Sequence, residues 1–388
     1  MTTPIRYLPS IPIVLLLATA CSTEPTEADR DLLQPAAAKA GPPLATTTWN
    51  ERTRTLLVRR PPANGQAAAS RIFTYLSLAQ YRAAIAAENG HQGPVRPSVK
   101  GAVGAAAAVV LSAFFPLDAA EIASQLAGDL AALPRGQRDD GAGEAIGRTV
   151  GSAVVAQSAG DNYLVVSPGV PPVGPGYWVS SGAAIVRSLH GARPFFLTSP
   201  DQLRPAAPPA FGTPEFLAAL AEVRAISDTR TAEQLALAQF WNTSTGPFTA
   251  GAINKIASDL IARLQRDERK AARLLAYANA AAFDAQIACF DAKFAYWFIR
   301  PSQADPAITL PIGLPNHPSY PSAHSCITAA ILTVVSEAFP ERGAMLADII
   351  AAAGMSRIFG GIHYRFDIDA GQAIGSGAAA LALAGSLE

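Results

Sequence analysis

Lys293 and Arg300 stand seven residues apart in a stretch rich in alanine and leucine. Seven residues are two turns of an α-helix, so both cations would leave nearly the same face. Their neighbours are Phe294, Tyr296, Trp297, Phe298 and Ile299, which argues against a water-washed stripe. A buried cation needs an anionic partner to offset its desolvation. A second group is Pro318-Ser-Tyr-Pro-Ser-Ala-His324, leading into an apolar run. Ser322, Ala323 and His324 fall in the first turn of the helix this predicts. Free backbone N–H groups and the positive dipole end make such a turn a cradle for an oxyanion. Alone, these residues would be a helix cap and a partly exposed histidine. The third group, Ser356-Arg-Ile-Phe-Gly-Gly-Ile-His363-Tyr-Arg-Phe-Asp367, sets His363 and Asp367 four apart, within reach on one helical turn. A carboxylate on Nδ1–H fixes the tautomer and leaves Nε2 as a lone-pair donor. Gly360-Gly361 breaks the preceding helix and lets Arg357 approach His363; alone, this group would be a structural His–Asp pair. Combined, the three describe cations to bind an oxyanion and imidazoles to attack it and move protons.

The elements that must position these groups read as helices. The spacing predicts one from about Arg266 to Ile299, ended by Pro301, and others over Ser322–Phe339, Arg342–Phe359 and Asp367–Leu383. Upstream, Ile72, Tyr75, Leu76, Leu78, Ala79 and Tyr81 recur at helical spacing, and Gly104–Leu133 is a further helical stretch interrupted at Pro116. Thr213-Pro214 is a cap and first-turn pair, and Thr231-Ala-Glu-Gln234 matches a capping box. Residues 160–214 are dense in Pro and Gly and predict an irregular excursion that either walls a pocket or wraps the surface. Alternating strand patterns are missing, so the fold class is all-α.

With 388 residues and a formal net charge of zero, the chain can bury a large core and carries no basic surplus for a nucleic-acid partner. Residues 1–21 read as an export signal: Arg6, the apolar run Ile11–Leu17, then Ala18-Thr19-Ala20 before Cys21. Cys21 after small residues resembles a lipobox, although Ala18 stands where that pattern prefers Leu, so plain secretion is the other reading. The expectation is an exported protein, periplasmic or at the cell surface, with membrane association only through a lipid on Cys21. Residues 22–68 read as a flexible tether and 69–388 as a single helical catalytic domain with its motif-bearing core at 266–388. Cys289 and Cys326 form no disulfide framework; they could pair, but the reading is two buried thiols.

Taken in order, the three groups resemble the type-2 phosphatidic acid phosphatase superfamily, which joins bacterial acid phosphatases to vanadium-dependent haloperoxidases. Its signature is Lys, six residues, Arg-Pro; then Pro-Ser-Gly-His; then Ser-Arg, five residues, His, three residues, Asp. Here Lys293 to Arg300-Pro301, Pro321-Ser322-Ala323-His324 and Ser356-Arg357 to His363 and Asp367 match it, with Ala323 in place of Gly. That position contributes its N–H, which Ala keeps. Pro194–Pro209, Arg230–Gln234 with Phe240-Trp241, and Asp284–Lys293 look like the exported bacterial haloperoxidase-like branch, over roughly residues 175–385.

The resemblance implies a helical bundle of the acid phosphatase/vanadium haloperoxidase type. It implies that Lys293, Arg300, Arg357, Ser322 and the Ala323 N–H bind phosphate or vanadate. His363 would be the nucleophile, His324 the acid and base, and Asp367 the partner of His363. Two activities share these residues. One is a metal-independent phosphomonoester hydrolase acting on a small phosphate ester through a phosphohistidine. The other is a haloperoxidase using vanadate, on His363, with peroxide and halide. The 31 residues between His324 and Ser356 resemble the compact acid phosphatases, and the flanking sequence leans toward the peroxidases. A third reading is a non-catalytic oxyanion-binding lipoprotein, which would need neither histidine. His317 lies near the cradle as a loop residue, Tyr296, Trp297 and Phe298 could wall a pocket, and His91 and His190 look incidental.

Overall fold

The computed structural model describes residues 43–63, 65–90, 95–134, 139–163, 169–181, 189, 191–242, 246–264 and 267–387. Among the described residues there are thirteen α-helices: α1 (Ala45–Arg59), α2 (Gly65–Asn89), α3 (Val99–Phe114), α4 (Ala119–Ala131), α5 (Asp140–Ala159), α6 (Pro214–Thr229), α7 (Ala232–Phe240), α8 (Phe248–Arg263), α9 (Glu268–Tyr296), α10 (Pro301–Ala304), α11 (Ala323–Ala338), α12 (Gly343–Phe359) and α13 (Arg365–Ala384). Extended pairing among them is limited to two isolated bridges, Pro97–Asp139 and Tyr177–Phe298. The fold is all-α, as the sequence predicts. None of these helices is long and apolar enough to cross a membrane.

Two pairs of helices meet at glycines. On α5, a Cβ at Gly143, Gly147 or Gly151 would lie 2.5, 2.2 or 2.9 Å from the carbonyl oxygens of Ser98, Ala102 and Ala106 beside α3 and on it. On α13, a Cβ at Gly371 or Gly375 would lie 2.6 or 2.4 Å from the carbonyl oxygens of Ser322 and Cys326 beside and on α11. Neither pair has room for a side chain at these contacts. α9 packs against α2, α11 and α13 and is capped by the Asp267 side chain, which accepts from the Lys270 N–H at 2.8 Å.

Two expectations need correction. The stretch 22–68 is not a tether throughout. α1 lies inside it, with Trp49, Leu56 and Leu57 buried, and α2 begins at Gly65. The buried face of α1 also carries Thr46, Asn50 and Thr53, so its hydrophobic period is broken by neutral polar residues and the sequence reads as unstructured. The Glu268 carboxylate accepts from the N–H groups of Ala45 and Thr46 at 3.0 and 2.6 Å and so fastens the start of α1. The second correction concerns α9, which stops at Tyr296. Trp297 follows in the left-handed conformation at φ 50°, stacked on Trp178 with ring centroids 6.3 Å apart. Arg300 therefore stands in extended chain beyond the helix, not on the face of Lys293.

Residues 160–163, 169–181 and 191–213 contain no helix. Residues 195–204 run along α9: Asp284 accepts from the N–H groups of Phe195, Phe196 and Leu197, and Arg204 makes a bidentate pair with Asp291 at 2.6 and 2.8 Å. Residues 1–42, with the signal and Cys21, lie outside the described residues, as do His91 and His190.

Candidate active site

The site forms where four chain segments converge on a buried carboxylate. Asp367, in the first turn of α13, has one oxygen, Oδ2, that accepts from His363 Nδ1 at 2.7 Å, Ser319 Oγ at 2.5 Å and the Tyr364 N–H at 3.2 Å. The turn before it is made by Gly361 at φ 72°, where any Cβ would meet Ile308 and Thr309. With Nδ1–H donated to Asp367, Nε2 of His363 holds a lone pair. It faces Arg300 Nη1 at 3.0 Å. Burial, reinforced by Arg300 and Lys293, holds His363 well below the usual histidine range, so the ring is neutral. Burial pushes the Asp367 carboxyl up to about 6, against the downward pull of Ser319, Lys293 and Arg300.

The three cations differ in what they touch. Arg300 uses its five N–H groups on the His317 carbonyl oxygen and Nδ1, the Ile362 carbonyl and His363. Lys293 gives its three protons to the carbonyl oxygens of Pro318, Ser319 and Pro321 at 2.8, 2.7 and 2.5 Å. It thus gathers the cradle loop around a positive charge. Arg357, only 1% exposed, donates Nε to Ser356 Oγ at 3.0 Å and one Nη2 proton to the Ala238 carbonyl at 3.1 Å. Its other three N–H groups meet no acceptor among the described residues. Burial lowers Lys293 to about 8, Arg300 to about 10 and Arg357 to about 9, and all three stay charged at neutral pH.

At the start of α11, Ser322 is the N-cap and its hydroxyl accepts from the Ser325 N–H at 3.4 Å. The Ser322 N–H is taken by the Asp367 carbonyl at 2.9 Å, whereas those of Ala323 and His324 have no partner among the described residues. His324 is half-buried and its Nε2 lies 3.2 Å from the Trp241 carbonyl. A carbonyl can only accept, so Nε2 carries the proton and Nδ1 the lone pair. Burial, then Arg357, holds this ring well below its usual range too.

The predicted residues are therefore brought together. Lys293, Arg300, Ser322, His363 and Asp367 are linked directly; Arg357 and His324 join through Ala238 and Trp241 at the end of α7. The site also uses groups outside the three motifs. His317 touches Arg300 and stacks near Phe290 at 5.3 Å, and its position in Asn316-His317-Pro318, one residue ahead of the cradle loop, was the available signal. Ser319 lies inside the second motif. The carbonyls of Ala238 and Trp241 carry no residue signature. Of the aromatics expected to wall a pocket, Phe298 packs in a core with Phe216 and Tyr364, Trp297 is buried against Trp178, and Tyr296 donates its hydroxyl to the Pro205 carbonyl; Phe290, outside that set, is half-buried beside His317. Cys289 and Cys326 are buried and free.

A buried cage of cations and neutral imidazoles has the chemistry to hold an oxyanion. Residues 273–386 match the sequence model of the PAP2 superfamily. Over 58 residues it is 41% identical to a non-specific acid phosphatase of Salmonella typhimurium and 40% identical to one of Salmonella typhi. That match takes in 15% of this chain and 23% of each relative, so it spans less than a quarter of the curated relatives' length. Among solved structures, the first bacterial vanadium-dependent iodoperoxidase is similar at a TM-score of 0.74 and 22% identity, over 89% of this chain and 98% of that one. An apo-type bacterial vanadium-dependent chloroperoxidase gives 0.66 and 16%, over 84% and 96% of the two chains. The fold is shared across nearly the whole length.

Proposed function

We propose that this site hydrolyses small phosphate monoesters through a phosphohistidine on His363. The observation that carries the reading is the line from Asp367 through His363 to Arg300, which presents a neutral imidazole with its Nε2 lone pair toward a buried cation. The anion would take the uncommitted N–H groups of Arg357, Ala323 and His324, while Lys293 and Arg300 add positive charge without leaving their carbonyl partners. Phosphoryl transfer is mainly a matter of positioning and of stabilising charge on the equatorial oxygens, which such a donor set does. Nε2 of His363 attacks phosphorus as Arg300 releases it, and the P–O bond to the alcohol breaks. A dianionic ester next to His324 opposes the effect of Arg357 and raises the affinity of that ring for a proton. His324 then protonates the leaving oxygen and afterwards takes a proton from the water that cleaves the P–N bond. The 41% identity to an acid phosphatase over 58 residues and the short interval from His324 to Ser356 support this reading.

A second reading is supported by the fold, which follows vanadium-dependent haloperoxidases over most of the chain. The donor set fits vanadate as well as phosphate: one lone-pair nitrogen, His363 Nε2, within a shell of N–H donors and cations. Bound vanadate would supply Lewis-acid activation of peroxide toward halide. The residues would act as before, His363 as its ligand, Asp367 holding that ring, and His324 moving protons at Nδ1.

Purified protein assayed for aryl phosphate hydrolysis, and separately for bromide oxidation by peroxide after vanadate loading, separates the two. The first reading expects hydrolysis, competitive inhibition by vanadate and loss of turnover in His363→Ala. Hydrolysis that survives in His363→Ala rejects the nucleophile, and halide oxidation without hydrolysis selects the second reading. We also propose export with a lipid on Cys21; the mass of the mature N-terminal peptide, with and without Cys21→Ser, tests it.

A further inference from the structure

We propose that Ser319 is a positioning residue, whose hydroxyl holds the Asp367 carboxylate in the one orientation that presents Oδ2 to His363. The inference rests on the reading of His363 as the working imidazole. Three donors crowd a single oxygen of Asp367, while Oδ1, fully buried, has no hydrogen-bond partner among the described residues. A buried carboxylate oxygen without a donor is unfavourable. Left to itself, the side chain would gain by turning to share its donors between both oxygens.

Of the three donors, the Tyr364 N–H is the longest contact at 3.2 Å, and His363 is the group being positioned. The Ser319 hydroxyl at 2.5 Å is the remaining constraint, and its own place is fixed on both sides. The Ser319 N–H donates to the Phe298 carbonyl at 2.9 Å, its carbonyl accepts from Lys293 at 2.7 Å, and the residue is wholly buried. Ser319 thus connects the loop that Lys293 gathers to the carboxylate that orients the nucleophile. It reads as a loop serine in the sequence, yet it joins the anion cradle to the attacking ring.

The test uses the full enzyme labelled with 15N-histidine; five histidines give a spectrum small enough to assign by comparison with His363→Gln. At one fixed neutral pH, wild type should show a His363 Nδ1–H proton far downfield, with Nε2 unprotonated. Ser319→Ala should lose or shift that signal and lower kcat by ~10–100-fold, the range for partners that orient an active-site histidine, with the inhibition constant of inorganic phosphate unchanged within about twofold. Ser319→Thr, which keeps the hydroxyl, should recover both signal and kcat. Near-UV circular dichroism identifies any variant that fails to fold, and Ser319→Thr then carries the comparison alone. An unshifted Nδ1–H signal in folded Ser319→Ala, or a folded Ser319→Thr that behaves as Ser319→Ala does in the spectrum, overturns the proposal. If wild type turns over neither phosphate ester nor halide, the functional reading fails while the spectra still decide the role of Ser319.

Discussion

The α3/α5 and α11/α13 helix pairs are both closed by glycines against backbone, yet the polar networks packed next to them differ in charge. Next to the first pair, α1, α2, α8 and α9 bury a network of neutral amides. Asn50 donates to Asn254 at 3.0 Å, Asn254 to Asn279 at 2.7 Å, and Asn279 to Ser77 at 3.0 Å. Beside the second the polar interior holds Lys293, Arg300, Arg357 and Asp367, all within 1% of complete burial. Amide donors find amide acceptors and settle the packing of α1, α2, α8 and α9. The cations outnumber the carboxylates around them, and Arg357 keeps N–H groups with no acceptor among the described residues. Close packing can therefore serve either end. The neutral interior contributes specificity of packing; the one with an excess of positive charge is where the proposed function would seat an anion.

Substitutions can break this contrast. The largest effect is expected at the charged pair of helices, where Arg357→Met should lower kcat/KM by ~10²–10³-fold, the usual loss for one oxyanion donor. The same change should leave stability to urea equal or higher by about 1–3 kcal/mol, because an uncompensated buried charge is removed. A variant that loses stability along with activity would show that Arg357 is structural. Asn279→Leu should do the reverse, lowering unfolding free energy by about 1–3 kcal/mol by stranding Asn254, with kcat unchanged. The matched pair Gly147→Ala and Gly371→Ala sharpens the point. Each forces a methyl group onto a carbonyl and should cost about 1–3 kcal/mol, but only Gly371→Ala, which presses on Ser322, should also reduce turnover. The smallest effect concerns pH. Protonated Lys293 contributes a positive charge below about 8 and loses it above. The inhibition constant of inorganic phosphate should therefore rise as pH passes 8, by roughly tenfold for each 1.4 kcal/mol of lost attraction. A constant flat from pH 7 to 9 would show that Lys293 serves only to hold the loop.

Much of the second pair was legible in the chain because its chemistry sits at helix ends. Ser322 at an N-cap, His363 and Asp367 one turn apart, and a glycine pair before them are local arrangements that short spacing encodes. What escaped was of other kinds. The acceptors of Arg357 and His324 are backbone carbonyls of α7, which any residue type could supply. The reversal at Trp297 needed a non-glycine residue in the left-handed region, which no residue type announces. α1 stayed hidden because its interior face carries Thr46, Asn50 and Thr53, so the hydrophobic rhythm that reveals a helix is missing where the amide network begins. The oversight in the amide-lined region has that single cause: polar residues that partner one another look, in sequence, like residues that face water.

The Ser322 N–H bound to the Asp367 carbonyl, with Gly371 bare above it, has a consequence for how such a protein can change. Under the proposed function, the distance from His363 to the anion is inherited from two peptide groups in contact, not from any side chain. On that reading, substitutions at His317 or Phe290, beside Arg300, can alter which guest enters while the throw of the nucleophile stays as it was. One scaffold can thus be re-keyed many times without being re-cut.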